Sequence, residues 1–251
     1  MADIPLGLRQ ALEAGECVLF IGAGIGYHLW RSGSQAPNGG ALAIELADQF
    51  KISDAGPSPE LPKVSQIVEL RKGRTELETY LKKRLSDLEP DDAFRWISTM
   101  RWRAIFTTNY DNGIERVYAL RADPPQTPVP IASASELVSF DRRFQVPLYY
   151  LHGRLFGPAK PHIIITETDY AEFRKQRRMM FELLKQEFAT STFLYVGYSN
   201  QDPNWKMILE ELRSEFYPSR LPPSYRVAPS TGSLDEEILC AQNIDTIACI
   251  L

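Results

Sequence analysis

Cysteine is scarce in this sequence, and its few copies lie far apart. Among 251 residues there are three, Cys17, Cys240 and Cys249, and no two of them form a C-x-x-C pair. This pattern argues against a disulfide-stabilised scaffold and against a zinc ribbon built from paired cysteines. We therefore expect reduced thiols, no bound metal and a cytoplasmic location.

Long apolar runs and an excess of positive charge are also missing. No hydrophobic segment approaches the roughly 20 residues that a membrane-spanning helix needs, and the first residues do not have the pattern of a signal peptide. The formal net charge of −4 gives no electrostatic reason to expect a nucleic-acid surface. The basic residues Lys175, Arg177 and Arg178 fit a solvated helix face better than a binding patch. We therefore predict neither nucleic-acid nor membrane partners.

The sequence does contain a regular alternation of short apolar runs and amphipathic stretches. Unbroken apolar runs such as Cys17–Ile21 are typical of parallel strands that are covered on both faces. Strands are predicted at Cys17–Ile21, Ala104–Thr107, Leu148–Leu151, Ile163–Ile165, Phe193–Val196, Tyr225–Val227 and Thr246–Cys249. Helices are predicted at Leu8–Ala14, Ala41–Phe50, Pro62–Arg71, Thr75–Leu88, Asp92–Met100, Asn112–Leu120, Thr168–Ala189 and Leu234–Gln242, and from Pro203 onward.

This alternation predicts an α/β fold with a Rossmann-like, doubly wound and mostly parallel sheet. Four helices fall between the first two strands, so we expect residues 41–100 to form an inserted helical layer without strands. Glycine, serine and proline in Trp30–Gly40 predict a mobile loop. We interpret residues 1–251 as one domain without a zinc ribbon. Because the last predicted strand lies so near the final residue, a longer polypeptide or a partner is expected to continue the assembly.

Glycines directly follow two of the predicted strands. Gly22-Ala23-Gly24 comes after the first strand, and Gly197-Tyr198-Ser199 comes after Phe193–Val196. The carboxyl ends of parallel strands form the ligand-binding edge of such a sheet, where glycines let a phosphate or ribose approach the backbone and Ser199 offers a hydroxyl. Tyr27 occupies the last glycine position of a G-x-G-x-x-G motif, so the dehydrogenase spacing is absent. A tight glycine turn without any ligand remains the alternative.

The polar segment Thr108-Asn109-Tyr110-Asp111 follows the strand Ala104–Thr107. An asparagine side chain both donates and accepts hydrogen bonds, so Asn109 can hold a water molecule or a ribose hydroxyl, and Asp111 can accept from an amide or a ribose. The same segment also fits a helix start, with Asp111 or Asn112 as N-cap and Glu115 as its partner in a capping box. The residues themselves leave both interpretations open.

His152 lies at the end of the strand Leu148–Leu151 and is followed at once by Gly153. A histidine at the carboxyl end of a strand faces the ligand crevice, and histidine titrates near neutral pH, so His152 is the candidate general base. We expect such a side chain to support little core packing. The alternative is a core histidine bonded to a carbonyl group. His28 and His162 are more typical of loops.

In this order, the four segments resemble the cofactor core of the sirtuins, over a span from about Cys17 to Cys249. In sirtuins a Gly-Ala-Gly segment binds the NAD phosphates, a Gln-Asn-Ile-Asp segment orients the nicotinamide ribose, and a His-Gly segment supplies the base. The resemblance implies these roles for Gly22, Ala23 and Gly24, for Asn109 and Asp111, and for His152, respectively. Gly197 and Ser199 resemble the Gly-x-Ser that contacts the adenosine side.

The departures from the sirtuin pattern indicate which group of sirtuin-like proteins this chain resembles more. Thr108 replaces glutamine, Tyr110 replaces isoleucine, and nine residues separate Gly153 from Ile163. Protein-deacylating sirtuins carry a four-cysteine zinc module after their His-Gly, and this chain has neither the room nor the cysteines for it. The pattern looks more like the sirtuin-like domains of bacterial anti-phage defence proteins. That resemblance implies hydrolysis of NAD+, as substrate and not cofactor, to nicotinamide and ADP-ribose.

Two other activities remain as alternatives. One is a non-catalytic module that binds NAD or ADP-ribose, and the other is a protein deacylase without zinc. Because unchecked loss of NAD+ would harm the host cell, the implied hydrolase is expected to be restrained by assembly into a homo-oligomer or by a defence partner protein.

Overall fold

The computed structural model describes residues 4–137, 139–157, 162–198, 203–217, 221–228 and 234–248. Within them the strands are β1 (Cys17–Ile21), β2 (Leu29–Arg31), β3 (Ser34–Gln35), β4 (Glu89–Pro90), β5 (Ala104–Thr107), β6 (Thr127–Ile131), β7 (Gln145–Tyr150), β8 (Thr192–Val196), β9 (Ser224–Ala228) and β10 (Ile244–Ala248). The helices are α1 (Leu6–Glu13), α2 (Gly39–Gln49), α3 (Leu61–Lys72), α4 (Arg74–Leu85), α5 (Asp92–Arg95), α6 (Gly113–Ala119), α7 (Glu167–Gln176), α8 (Arg178–Thr190), α9 (Pro203–Phe216) and α10 (Leu234–Ala241). None of these helices combines the length and apolar character needed to cross a membrane.

Seven strands form one parallel sheet in the order β6–β7–β5–β1–β8–β9–β10. The first strand lies at its centre, where Leu19 is opposite Ile105 on one side and Leu194 on the other. After β1 the chain builds β5, β6 and β7 on one side and then crosses to β8 on the other. The predicted doubly wound, Rossmann-like α/β fold is confirmed.

Both faces of the sheet are covered by apolar side chains. Leu19 and Ile21 of β1 belong to the core beneath α2, α3 and α4. Val18 and Phe20 point to the opposite face, into the core that contains α7 and α8. Successive residues of a strand alternate between faces, so a strand covered twice is apolar throughout. This explains the unbroken apolar run in the sequence.

The segment between β1 and β5 contains the predicted helices and also a small sheet. Strands β3, β2 and β4 pair antiparallel in that order. Ser32 and Gly33 both have positive φ, 49° and 82°, as a two-residue hairpin turn requires. The Ala36 amide also donates to the Leu29 carbonyl at 2.8 Å. The prediction of a loop over Trp30–Gly40 and of an insertion without strands was therefore wrong, because the hairpin turn was not recognised.

Three further predictions are corrected by the structure. β6 was not predicted because of its prolines, which an edge strand tolerates. Ile163–Ile165 is not a strand, although the Ile164 amide donates to the His152 carbonyl at 2.8 Å. The long helix predicted over Thr168–Ala189 is divided at Arg177, whose φ of −118° and ψ of 21° leave the helical region. This break determines where the arginine side chain lies.

Candidate active site

The carboxyl ends of β1, β5, β7 and β8 open on one cavity of about 840 Å³. They lie where the chain switches from one side of β1 to the other, the position at which doubly wound sheets bind ligands. The inserted segment forms the facing wall through residues 36–40 and 59–62, and α7 contributes Glu167 and Tyr170. The volume falls within the range of about 300–1,000 Å³ that is typical of small-molecule pockets.

The glycines that follow β1 and β8 hold two loops in backbone contact. The Gly22 amide donates to the Val196 carbonyl at 3.0 Å, and the Gly24 amide donates to the Gly197 carbonyl at 2.7 Å. Gly197 has a φ of +64°, and a Cβ placed there would lie 2.9 Å from the Gly24 carbonyl carbon. These positions need glycine because the two backbones touch.

The ligand contacts predicted for these loops remain predictions. Ala23, Gly24 and Gly197 line the cavity, whereas Gly22 lies behind them against β8. The amides of Gly22 and Gly24 already donate to carbonyl groups of the neighbouring loop, so contacts from this turn to a phosphate depend on other groups of the same segment. Ser199 lies outside the described residues.

Asn109 lines the cavity and presents an acceptor that nothing in the described residues satisfies. Its backbone amide donates to the Thr107 hydroxyl at 3.0 Å, and its Nδ2 donates to the Gly22 carbonyl at 3.4 Å. The side-chain Oδ1 is buried without a hydrogen-bond partner. A buried acceptor of this kind costs about 1–3 kcal/mol when it is left unsatisfied. Its position therefore fits a donor supplied by a ligand, such as a water molecule or a hydroxyl group.

Asp111 lines the same cavity and also stabilises the start of α6. Its Oδ1 accepts from the Gly113 amide at 2.8 Å, and burial raises the pKa of its carboxyl group. The hydrogen bond from Gly113 offsets only part of that rise. The capping box expected with Glu115 does not form, because the Glu115 carboxylate accepts from the Tyr150 hydroxyl instead. The N-cap of α6 is Asn112, whose side chain makes no capping hydrogen bond, so the predicted N-cap role of Asp111 was wrong, although Asp111 binds the first amide of the helix. The contact of Asp111 with a ligand stays a prediction.

His152 lines the cavity but is more deeply packed than the sequence predicts. Its residue surface is 4% exposed, and its ring lies 5.3 Å from Tyr170 and 5.6 Å from Phe173, both edge-on. The chain turns sharply after it, since Gly153 has a φ of +79°. The expectation that this side chain supports little core packing was therefore wrong, because α7 closes over the ring.

The other two histidines are bonded to carboxylates away from the cavity wall. His28 Nδ1 lies 3.0 Å from Asp91 Oδ2, and His162 Nε2 lies 2.6 Å from Asp169 Oδ1. Neither is a lining residue of the cavity, whereas His152 is. Position in the fold therefore agrees with the choice of His152 as the candidate base.

A buried carboxylate connects the inserted segment to the region beneath His152. Asp169 accepts from Arg74 Nη1 at 2.7 Å and from the amides of Ile165 and Thr166 at 3.0 and 2.9 Å, besides its contact with His162. Burial by itself would raise the pKa of Asp169, but these hydrogen bonds lower it to about 2. Because Arg74 begins α4 and Asp169 lies in α7, the pair holds one wall of the cavity against the other.

Arg177 lies in the same region and contradicts the prediction of a solvated helix face. It is 6% exposed, and its Nη2 donates to the His162 carbonyl beneath the Gly153 turn. Burial lowers the pKa of its guanidinium group. The break between α7 and α8 turns this side chain inward, and helical periodicity gave no sign of that break.

Several lining residues were not identified from the sequence. Asn38 caps α2, where its Oδ1 accepts from the Ala41 amide at 2.9 Å, and Glu60 precedes α3. Glu167 begins α7, and the capping box between Thr166 and Asp169 fixes that start. The pattern Thr-x-x-Asp was a readable signal for this helix start. The proximity of this helix start to the cavity could not be predicted, because it depends on how the insertion folds back over the sheet edge.

The described residues contain no group of three or more His, Cys, Asp or Glu side chains arranged to hold a metal ion. The cavity is lined by Asn109, Asp111 and His152, by backbone groups and by the carboxylates of Glu60 and Glu167. Further polar side chains that line it are Asn38, Thr108, Tyr110, Tyr170 and Tyr198.

Comparison with known proteins gives a consistent assignment. Residues 103–247 match the family model described as a SIR2-like domain. The chain is 27% identical over 212 residues to the NAD(+) hydrolase ThsA of Enterococcus faecium, which covers 81% of this chain and 41% of that protein. It is 23% identical over 205 residues to the NAD(+) hydrolase ThsA of Cytobacillus dafuensis, covering 81% of this chain and 39% of that protein. The chain thus spans about two fifths of the length of these curated relatives.

Proposed function

This chain belongs to the SIR2-like domain family, and on that premise we propose that it hydrolyses NAD+ to nicotinamide and ADP-ribose. The observation that carries the proposal is that Asn109, Asp111 and His152 line one cavity at the carboxyl edge of the sheet. The names of the relatives, which are NAD(+) hydrolases, support the same reaction. NAD+ is the substrate, and the reaction requires no further cofactor.

The chemistry of this reaction matches the groups in the cavity. The bond between the nicotinamide nitrogen and ribose C1′ breaks, and its electron pair leaves with nicotinamide. Water adds to C1′ and gives up a proton. Asn109 Oδ1 orients the water or a ribose hydroxyl, and His152 accepts the proton. Proton transfer of this kind contributes about 10²–10⁴-fold, which corresponds to roughly 3–5 kcal/mol of the barrier. Asp111 seats the nicotinamide ribose or the carboxamide.

The proposal extends to the cellular setting. Residues 1–251 act as one NAD-binding domain, with the helices of residues 41–100 as a wall of the pocket. The domain works in the cytoplasm as an NAD-depleting effector of anti-phage defence, in line with the resemblance of its motifs. It is controlled through a homo-oligomer or a defence partner protein, because constant NAD+ loss would harm the cell.

The test is to incubate the pure protein with NAD+, with and without an acetylated peptide, and to identify the products. Free ADP-ribose and nicotinamide in both reactions support the proposal. An acyl-transfer product that requires the peptide would replace it by deacylation. Intact NAD+ at every protein concentration, together with measurable ADP-ribose binding, would replace it by a binding module.

Asn109→Ala tests the role of the unsatisfied acceptor. The substitution removes one long hydrogen bond to Gly22 and one buried acceptor without a partner, so these two effects on stability oppose each other. Turnover is expected to fall strongly while the melting temperature changes little. If turnover and the fraction of folded protein fall by the same factor, Asn109 has only a structural role.

A further inference from the structure

One side-chain hydrogen bond joins the two segments that carry the candidate catalytic groups. The Tyr150 hydroxyl donates to Glu115 Oε2. Tyr150 is the last residue of β7, two positions before His152, and it is 1% exposed. Glu115 lies in the first turn of α6, four positions after Asp111. The bond therefore connects the strand that leads to His152 with the helix whose start follows Asn109 and Asp111.

Backbone hydrogen bonds connect the same two segments on either side of this contact. The Leu151 amide donates to the Thr107 carbonyl at 2.9 Å, and the Leu155 amide donates to the Tyr110 carbonyl at 3.1 Å. These bonds fix the main chains of the two loops. They do not fix how α6 is rotated about its own axis. The hydrogen bond of Glu115 can fix this rotation, because Glu115 is part of the helix.

The carboxylate of Glu115 lies in a costly environment. Burial raises its pKa, the Tyr150 hydrogen bond lowers it, and the nearby charges of Asp111 and Arg154 act in opposite directions. Arg154 is itself paired with Glu136 at 2.7 Å. Apolar side chains at both positions would avoid this cost, since replacing a whole buried polar pair by well-packed apolar residues is often neutral or stabilising. The pair is therefore better explained by orientation than by stability.

We propose that Tyr150 and Glu115 are positioning residues, which fix the start of α6, and with it Asn109 and Asp111, against His152. This inference rests on the proposed NAD+ hydrolysis, because the distance that they fix matters for catalysis only if these three groups act on one substrate. Small displacements of positioned groups cost up to about 100-fold in rate.

The test compares variants that remove one hydroxyl from neighbouring residues of β7. Tyr150→Phe is expected to lower kcat at least tenfold with KM within twofold of the original value. Tyr149→Phe is the matched control, because Tyr149 packs on the opposite face of the sheet, 4.7 Å from the Phe106 ring. Glu115→Leu is expected to match the loss of Tyr150→Phe, and the double variant to be no worse than either. Glu115→Gln keeps an acceptor and is expected to restore most of kcat.

A second readout does not depend on turnover. The chain has three histidines, so the imidazole NMR signals of His152 can be assigned by comparison with His152→Gln. Tyr150→Phe and Glu115→Leu are expected to shift these signals, and Tyr149→Phe to leave them in place. If Tyr150→Phe shifts the His152 signals but the original protein does not cleave NAD+, the positioning role stands and the proposed function is rejected. Cleavage and His152 signals that are both unchanged in Tyr150→Phe would overturn the positioning role.

Discussion

Packed rings and a backbone hydrogen bond hold His152 in its place. The rings of Tyr170 and Phe173 are nearly perpendicular to its ring, and Tyr110 lies at a centroid distance of 6.3 Å. The carbonyl of His152 also accepts from the Ile164 amide. A side chain enclosed in this way has little freedom to rotate. Such preorganisation is what a general base requires.

Replacing His152 by glutamine tests this role with little change in side-chain volume. Turnover is expected to fall about 10²–10⁴-fold, because the proton acceptor is lost. A moderate decrease of the melting temperature is expected, since glutamine cannot reproduce the ring contacts. His28→Gln is the matched control, as His28 is paired with Asp91 outside the cavity. A folded His152→Gln protein with unchanged turnover would remove His152 from the mechanism.

At the scale of secondary structure, the sequence predicted best where local pattern and tertiary environment agree. The bounds of β1 and β5 were predicted to the residue, because a strand buried on both faces is apolar at every position. The prolines of β6 argued against a strand, and only its place at the sheet edge makes them acceptable. The apolar residues of Ile163–Ile165 are buried beneath the His152 loop and do not form a strand.

The residues of the candidate site also divide into those that the sequence predicted and those that it did not. Six of the predicted site residues line the cavity: Ala23, Gly24, Asn109, Asp111, His152 and Gly197. They were predicted because each lies just past a predicted strand, in a segment that resembles a sirtuin motif. Residues 36–40 and Glu60 of the inserted segment and Tyr170 of α7 also line it. They were not found, because their location depends on how the insertion and α7 pack over the sheet edge, which no local pattern encodes.

The contact between the β1 and β8 loops predicts a difference between two glycine substitutions. Gly197→Ala and Gly56→Ala both place a side chain at positive φ, +64° and +77°, which costs about 1–2 kcal/mol. A Cβ at Gly56 meets open space, whereas one at Gly197 collides with the backbone of Gly24 and Ile25. Unfolding in urea should show a clearly larger loss of stability for Gly197→Ala, and only that variant should lose NAD+ cleavage. Equal effects would mean that the two loops move apart easily.

The buried Asp169 predicts a dependence of stability on pH. Its pKa in the folded protein is about 2, below the ordinary value of 3.8. The stability from its hydrogen bonds is therefore fully present above the unfolded pKa and is lost as the pH falls from about 4 toward 2. At pH 7, Asp169→Asn is expected to be less stable by about 2 kcal/mol, and the difference from the original protein should shrink below pH 4.

Urea unfolding at pH 7, 5 and 3.5 measures this effect. Asp141→Asn is the control, since Asp141 forms its pair with Arg143 at the exposed surface. Exposed pairs contribute little to stability, so this variant should unfold almost like the original protein at each pH. A difference for Asp169→Asn that stays constant from pH 7 to 3.5 would contradict the assigned ionisation.

At the scale of the whole molecule, the inserted segment packs on the sheet through an apolar core and also makes polar contacts with α7. Arg74 pairs with Asp169, and the Gln66 side chain accepts from the amide and the hydroxyl of Thr168 at 3.0 and 2.8 Å. Both contacts join the insertion to α7. A change in the position of the insertion therefore alters the cavity directly.

The hairpin of β2 and β3 lies beside a residue pair through which the proposed assembly could act on this cavity. Tyr27, just before the hairpin, is 50% exposed, and Asn38 Nδ2 donates to its hydroxyl at 3.2 Å while Asn38 lines the cavity. A neighbouring copy that packs on Tyr27 would order this wall, and closure of such a wall often controls turnover. We therefore expect turnover per mole of protein to rise with protein concentration, in step with the mass measured by light scattering. Tyr27→Phe removes the hydroxyl and should weaken the coupling between mass and turnover. A monomer with full, concentration-independent activity would contradict this expectation and would leave control of expression as the safeguard against NAD+ loss.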